Sequence, residues 1–208
     1  MTSPAVDPVL AGLGVGLALA GSPGPVQAIL LVESLRGGAS RGFKAQAGAN
    51  LTFAVLLIAL ALGITEVAPG AVLLRILKIA GGAFLIWLAL DGFRSRNQPA
   101  RDPSADKRLP PAVRGMLAVV LNPGTYLFLA TAASSVLSSA SGKGGRSAAV
   151  FAALALVVGV AIGDGTTVLL GGLGVRRAGQ RVIMWVRSGL ALLLGVLGVL
   201  LVVSGLLG

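Results

Sequence analysis

Six stretches of the chain run for the length of a membrane-spanning helix with almost no charge: Val9 to Val32, Ala45 to Ile64, Ala71 to Leu90, Gly115 to Leu137, Ala148 to Gly172 and Gly189 to Leu207. A helix rising about 1.5 Å per residue crosses a hydrocarbon layer of about 30 Å with about 20 such residues. The pattern therefore predicts an all-α polytopic membrane protein with six transmembrane helices. The third stretch carries Arg75 and Lys78 in its first turns, where both side chains can snorkel to the nearer surface. The first is not read as a cleaved signal peptide, because no Lys or Arg precedes it and its apolar run is too long.

Two of the stretches are interrupted by residues that oppose a helix. In "SPGP", Pro23 and Pro25 lack an N–H and clash with preceding carbonyls, while Gly24, next to Ser22, tolerates angles that other residues resist. In "LNPGTY", Asn122, Pro123 and Gly124 repeat the device in the fourth stretch. An unwound point in lipid leaves carbonyls free for a cation or ammonium group. The amides that open the next half-helix present positive dipole to a carboxylate. A kink that only shapes packing is the alternative. The layout predicts one transporter domain over residues 1–208, built as a 3+3 inverted repeat with broken first and fourth helices. Residues 1–93 and 114–208 form the halves, and 94–113 a basic linker.

Composition changes the picture by exclusion. Hydrophobic residues make up 55% of the chain and charged ones 12%, too little polar surface to cover a soluble core. The net charge of +10 comes mainly from the loops after stretches one, three and five, which hold every basic residue except Arg75, Lys78, Lys143 and Arg146. The positive-inside rule then puts those loops in the cytoplasm and both termini outside. No basic stripe interleaves with aromatics, so nucleic acid is not an expected partner. Without a single Cys or His, thiol exchange, haem ligation and the common zinc and copper sites are excluded, and a Ser nucleophile has no His partner. No enzyme activity, metal or cofactor is expected.

Asp164 is the sharpest single residue, because more than ten uncharged residues precede it. An ionised carboxylate at that depth requires a partner, or it holds a proton. It could carry a proton or meet a substrate ammonium, pair with Arg176, or bond to Thr166 or Thr167. Asn50, Thr52 and Gln46 form a polar face on the second helix, which either lines a cavity or serves as packing glue. Glu33 falls near the inner end of the first helix. Arg75 and Lys78 read as interface anchors, with Glu66 within reach of one of them. The many glycines, such as Gly81 and Gly82, suit close helix contact, and "GGLG" at 171–174 is no dinucleotide fingerprint.

Taken in order, these motifs resemble the LysE/RhtB superfamily of amino-acid exporters. The likeness is carried by "SPGP", by the Gly-rich basic turn in "SLRGGASRGFKAQAGA" from Ser34 to Ala49, and by Lys78, Gly81 and Phe84 in "LKIAGGAFLIWLAL". Asn122-Pro123 preceded by Gly115, and the closing "SGLALLLGVLGVLLV", complete it. The resemblance implies an exporter of amino acids or related small polar metabolites in a bacterial-type plasma (inner) membrane, energised by the proton gradient. It departs at the second helix, where Thr52 and Phe53 stand in place of a Gly-Asp pair, and this raises the weight of Asp164. Expected substrate contacts are Ser22, Pro23, Gly24, Pro25, Asn50, Asn122, Pro123 and Gly124, with Asp164 coupling protons. Expected partners are a small-molecule substrate, membrane lipid and, from the small-residue helix faces, a second copy in a homodimer. An exporter of another small molecule or ion, or a membrane scaffold, remains the alternative.

Overall fold

The computed structural model describes residues 6–63, 70–95, 109–177 and 179–207, and all of its regular structure is helical. Helix α1 spans Val6–Gly21, α2 Pro25–Ala61, α3 Ala71–Ser95, α4 Pro111–Val120, α5 Pro123–Phe128, α6 Ser134–Arg177 and α7 Gln180–Leu207. A π-helical turn, Leu129–Ala133, links α5 to α6. Four runs are long and apolar enough to cross a membrane: α2, α3, the α5–α6 run and α7. Helices α1 and α4 are shorter apolar helices. Large apolar side chains such as Leu51, Val72, Leu170 and Trp185 lie exposed on the outer surface, as lipid contact requires. The chain is thus a polytopic α-helical membrane protein. Residues 96–108, most of the basic linker, lie outside the described residues.

Helix α2 is not one rod. At Gly37 (φ −144°, ψ 23°) and Gly38 (φ 74°, ψ −178°) the helical angles are lost. Beyond this point the chain folds back on itself. Leu30 and Ala45 share one buried cluster, whereas an unbroken helix would hold them about 22 Å apart. Helix α6 changes in nearly the same way at Gly144 (φ −149°, ψ 21°) and Gly145 (φ 69°, ψ −164°). The positive φ of Gly38 and of Gly145 lies where a Cβ would meet the carbonyl, so glycine is the residue that both turns require. A basic residue precedes each pair, Arg36 in one and Lys143 in the other.

Close backbone approach then sets the packing. Helix α1 runs along the α6 arm that follows Gly145, Gly12 beside Ala152 and Gly16 beside Leu156, with Gly159 and Gly163 meeting Leu13 and Ala20 from the other side. Helix α4 lies on the α2 arm that follows Gly38 through Gly48 against Ala112 and Gly115 against Ala45. Helix α3 meets α7 through Gly82 and Gly198. Lipid tails offer no hydrophobic drive to bring helices together, so such glycine faces gain their stability from van der Waals contact at short backbone distance. Arg75 bonds the Gly205 carbonyl at 2.9 Å and that of Leu206 at 3.3 Å, covering carbonyls that the end of α7 leaves without helical partners. Glu66, the acid expected near it, lies outside the described residues.

Candidate functional site

Between α1 and α2 the chain leaves the helix at Ser22, Pro23 and Gly24. The Ser22 N–H donates to Leu19 O at 3.1 Å and its hydroxyl to Ala18 O at 3.0 Å. Helical pairing resumes with Ala28 N–H to Gly24 O at 3.0 Å. Pro23 and Pro25 have no N–H, and among the described residues the amides of Gly24, Val26 and Gln27 have no backbone partner. The second interruption falls at Leu121 and Asn122, between α4 and α5. Asn122 caps α5, its Oδ1 accepting from Gly124 N–H at 3.0 Å, and the Tyr126 hydroxyl donates to Val120 O at 2.9 Å.

The two interruptions face one cavity of about 250 Å³. Ser22, Pro23, Gly24, Pro25, Asn50, Asn122, Gly124 and Asp164 all line it, so eight of the nine positions named from the sequence lie together. Pro123 does not line it. That residue is buried as the first residue of α5. Asp164 is almost wholly buried, 1% exposed, with Gln27 Nε2 at 3.5 Å from its Oδ1. The threonines proposed as its partners are engaged elsewhere, since both hydroxyls donate to Gly163 O, and the Arg176 side chain lies outside the described residues. Gln46 ties the arms together, donating to Ala161 O at 2.7 Å, while Thr52 bonds back to Gly48 O.

Sequence reading missed Gln27 and Thr125, which also line the cavity. A signal for them exists: each stands two residues after the proline that restarts its helix, Pro25 or Pro123, and so falls in the first turn facing the interruption. It missed the apolar wall of Leu19, Phe53, Val119 and Val160 as well. These residues look like any others in an apolar span.

One end of the molecule is tied by a charge network. Arg114, 0% exposed, reaches Glu33 at 3.0 Å and Asp91 at 3.1 Å. Arg36 reaches Asp91 at 2.8 Å and Glu33 at 3.5 Å, and Arg41 reaches Glu33 at 2.6 Å. The Arg114 guanidinium also sits 5.3 Å from the Trp87 ring centroid, within cation–π range. Three arginines and two acids thus join both arms of α2 with α3 and α4, and Arg187 of α7 adds a bond to Leu35 O. From the sequence these arginines are loop charges. Folding back at Gly37–Gly38 leaves Arg36 and Arg41 half-buried around a fully buried Arg114. At the opposite end, where the α2 arm finishes, a second cavity of about 270 Å³ is lined by Leu60–Gly63, Ser134, Ser138, Ser141 and Arg146, with no acid among the described residues that line it.

Among known protein families, the model of the LysE type translocator family aligns with residues 17–205. No curated protein and no solved structure matches the chain.

Proposed function

The chain belongs to the LysE type translocator family, and on that premise we propose that it exports amino acids or related small polar metabolites across a bacterial-type plasma membrane, driven by the proton gradient. The observation that carries this reading is convergence: two helix interruptions and a buried carboxylate, far apart in sequence, line one amino-acid-sized cavity. A zwitterion matches such a site. Its carboxylate takes the free amides that open α2, and its ammonium takes Asp164. The ammonium and a proton compete for that same carboxylate, so releasing one accompanies accepting the other, which supplies the coupling.

The proposed architecture has six crossings in two inverted halves. Helix α1 plus the α2 arm before Gly37 is the first crossing. Helix α4, α5 and the α6 arm before Gly144 form the fourth. The matched angles of the two double-glycine turns support this pairing, as does the matched packing of α1 on the far arm of α6 and of α4 on the far arm of α2. The charge network closes the arginine-rich, cytoplasmic end, and the serine-lined cavity opens the other. Export alternates which of the two ends is open around the fixed site. Because the chain has no cysteine, the orientation is testable by single-cysteine labelling of cells. Gly142→Cys should react with an impermeant maleimide from outside, whereas Ser40→Cys should react only after permeabilisation.

The test of function is efflux of labelled amino acids from proteoliposomes with and without an imposed pH gradient. Asp164→Asn removes a charge-assisted contact to the ammonium, a loss of about tenfold or more in rate, and it should abolish the response to the gradient. Retained rate and retained response would remove Asp164 from the mechanism. A membrane scaffold predicts instead that Asp164→Asn and Gly24→Leu chains assemble normally in a protein that moves no solute.

A further inference from the structure

The register of the helices divides the cavity into a polar and an apolar side. The α2 arm that follows Gly38 leaves the arginine-rich end at Arg41 and reaches the serine-lined cavity at Leu60, so Phe53 lies beyond Asn50 in that direction. The α6 arm that follows Gly145 runs the opposite way, from Arg146 in the serine-lined cavity, so Val160 precedes Asp164 on the same side. Helix α1 runs alongside that arm, Gly12 by Ala152 and Ala20 by Gly163, which places Leu19 before Ser22 on that side too. Leu19, Phe53 and Val160 therefore form one wall, offset from Ser22, Asn50 and Asp164 toward the serine-lined end. Phe53 is held there by Phe128, with ring centroids 5.9 Å apart at 42°.

Charge restricts what this wall accepts. Asp164 is the one ionisable side chain among the described residues that line the cavity, and the α-ammonium of a bound amino acid uses it. A lysine or arginine side chain would carry a second cation against Leu19, Phe53 and Val160 with no counter-charge. A glutamate or aspartate would do the same with an anion. Burying either charge unpaired is strongly unfavourable. Resting on the reading of this cavity as the transport site, we infer that the exported amino acid bears an uncharged aliphatic side chain, seated on Leu19, Phe53 and Val160, with Phe53 setting the upper limit of its size.

The test is exchange in proteoliposomes of radiolabelled leucine, valine, phenylalanine, lysine and glutamate. Wild-type protein should move leucine and valine about tenfold or more faster than lysine or glutamate. Phe53→Ala should raise phenylalanine relative to leucine by about tenfold, the scale of discrimination by a small change in an apolar pocket. Val160→Leu narrows the same wall and should shift the preference from leucine toward valine, a second readout should Phe53→Ala fail to fold. Lysine or glutamate carried as fast as leucine overturns the inference while leaving amino-acid export intact. So does an unchanged order of substrates in a folded Phe53→Ala or Val160→Leu protein. Absence of exchange for every amino acid overturns the transport reading itself, and this inference with it.

Discussion

Glu33→Ala is expected to destabilise the protein by about 3–5 kcal/mol, the cost of removing one member of a buried ion network and leaving its partner behind. The partner is Arg114, fully buried, whose two carboxylate contacts are Glu33 and Asp91. Deleting Glu33 leaves that guanidinium with Asp91 as its one carboxylate among the described residues, beside the Leu109 carbonyl, while Arg36 also draws on Asp91 at 2.8 Å. Arg41 loses its 2.6 Å contact in the same step. In detergent the thermal midpoint should fall by about 10 °C, given a few degrees per kcal/mol in a chain of this size. Glu33→Gln keeps the shape but removes the charge, so it should lie between wild type and Glu33→Ala. An unchanged midpoint in Glu33→Ala would show that the network is worth no more than a surface ion pair, about 1 kcal/mol or less. The network also closes one end of the proposed path. Glu33→Ala should therefore raise impermeant-maleimide access to a cysteine placed at Asn50 in inverted vesicles.

Gly48→Leu and Gly115→Leu should prevent folding altogether. A Cβ at either position would occupy the space of a neighbouring backbone, the Ala112 carbonyl for Gly48 and the Ala45 carbonyl for Gly115. A backbone carbonyl cannot rotate aside as a side-chain tip does, so α4 and the α2 arm would have to separate along their shared face. Their separation also pulls Arg114, one residue before Gly115, away from Glu33. Size-exclusion profiles of fluorescent fusions should show aggregate in place of a single peak. Gly14→Leu is the matched control, since nothing lies within 4 Å of a Cβ there, and it should run as wild type. Equal profiles for Gly48→Leu and Gly14→Leu would refute the close approach of these helices.

The local interruptions were legible because proline and glycine act on their own neighbours. Pro23 and Pro25 disturb the helix through a missing N–H and a ring clash, and Gly24 through its backbone freedom, whatever the rest of the chain does. Asp164 stood out for a similar reason, an acid deep in an apolar run. Gln27 and Phe53 did not, since one is an ordinary polar residue after a proline and the other an ordinary core aromatic. Nor did the network announce itself. Arg114 reads as a loop charge until α2 folds back and Glu33, which also holds Arg41, comes within reach of it.

Residence in lipid, the helical class, the positions of the interruptions and the membership of a translocator family were settled by the sequence alone, because each depends on composition or on interactions within a few residues. Convergence of the two interruptions on one cavity, the division of that cavity into polar and apolar sides, and the joining of three arginines with two acids around a buried Arg114–Glu33 pair were decided by tertiary structure. Those features depend on the backbone angles at Gly37–Gly38 and Gly144–Gly145 and on glycine faces that let helices approach closely. Such long-range juxtapositions leave no periodic trace along the chain.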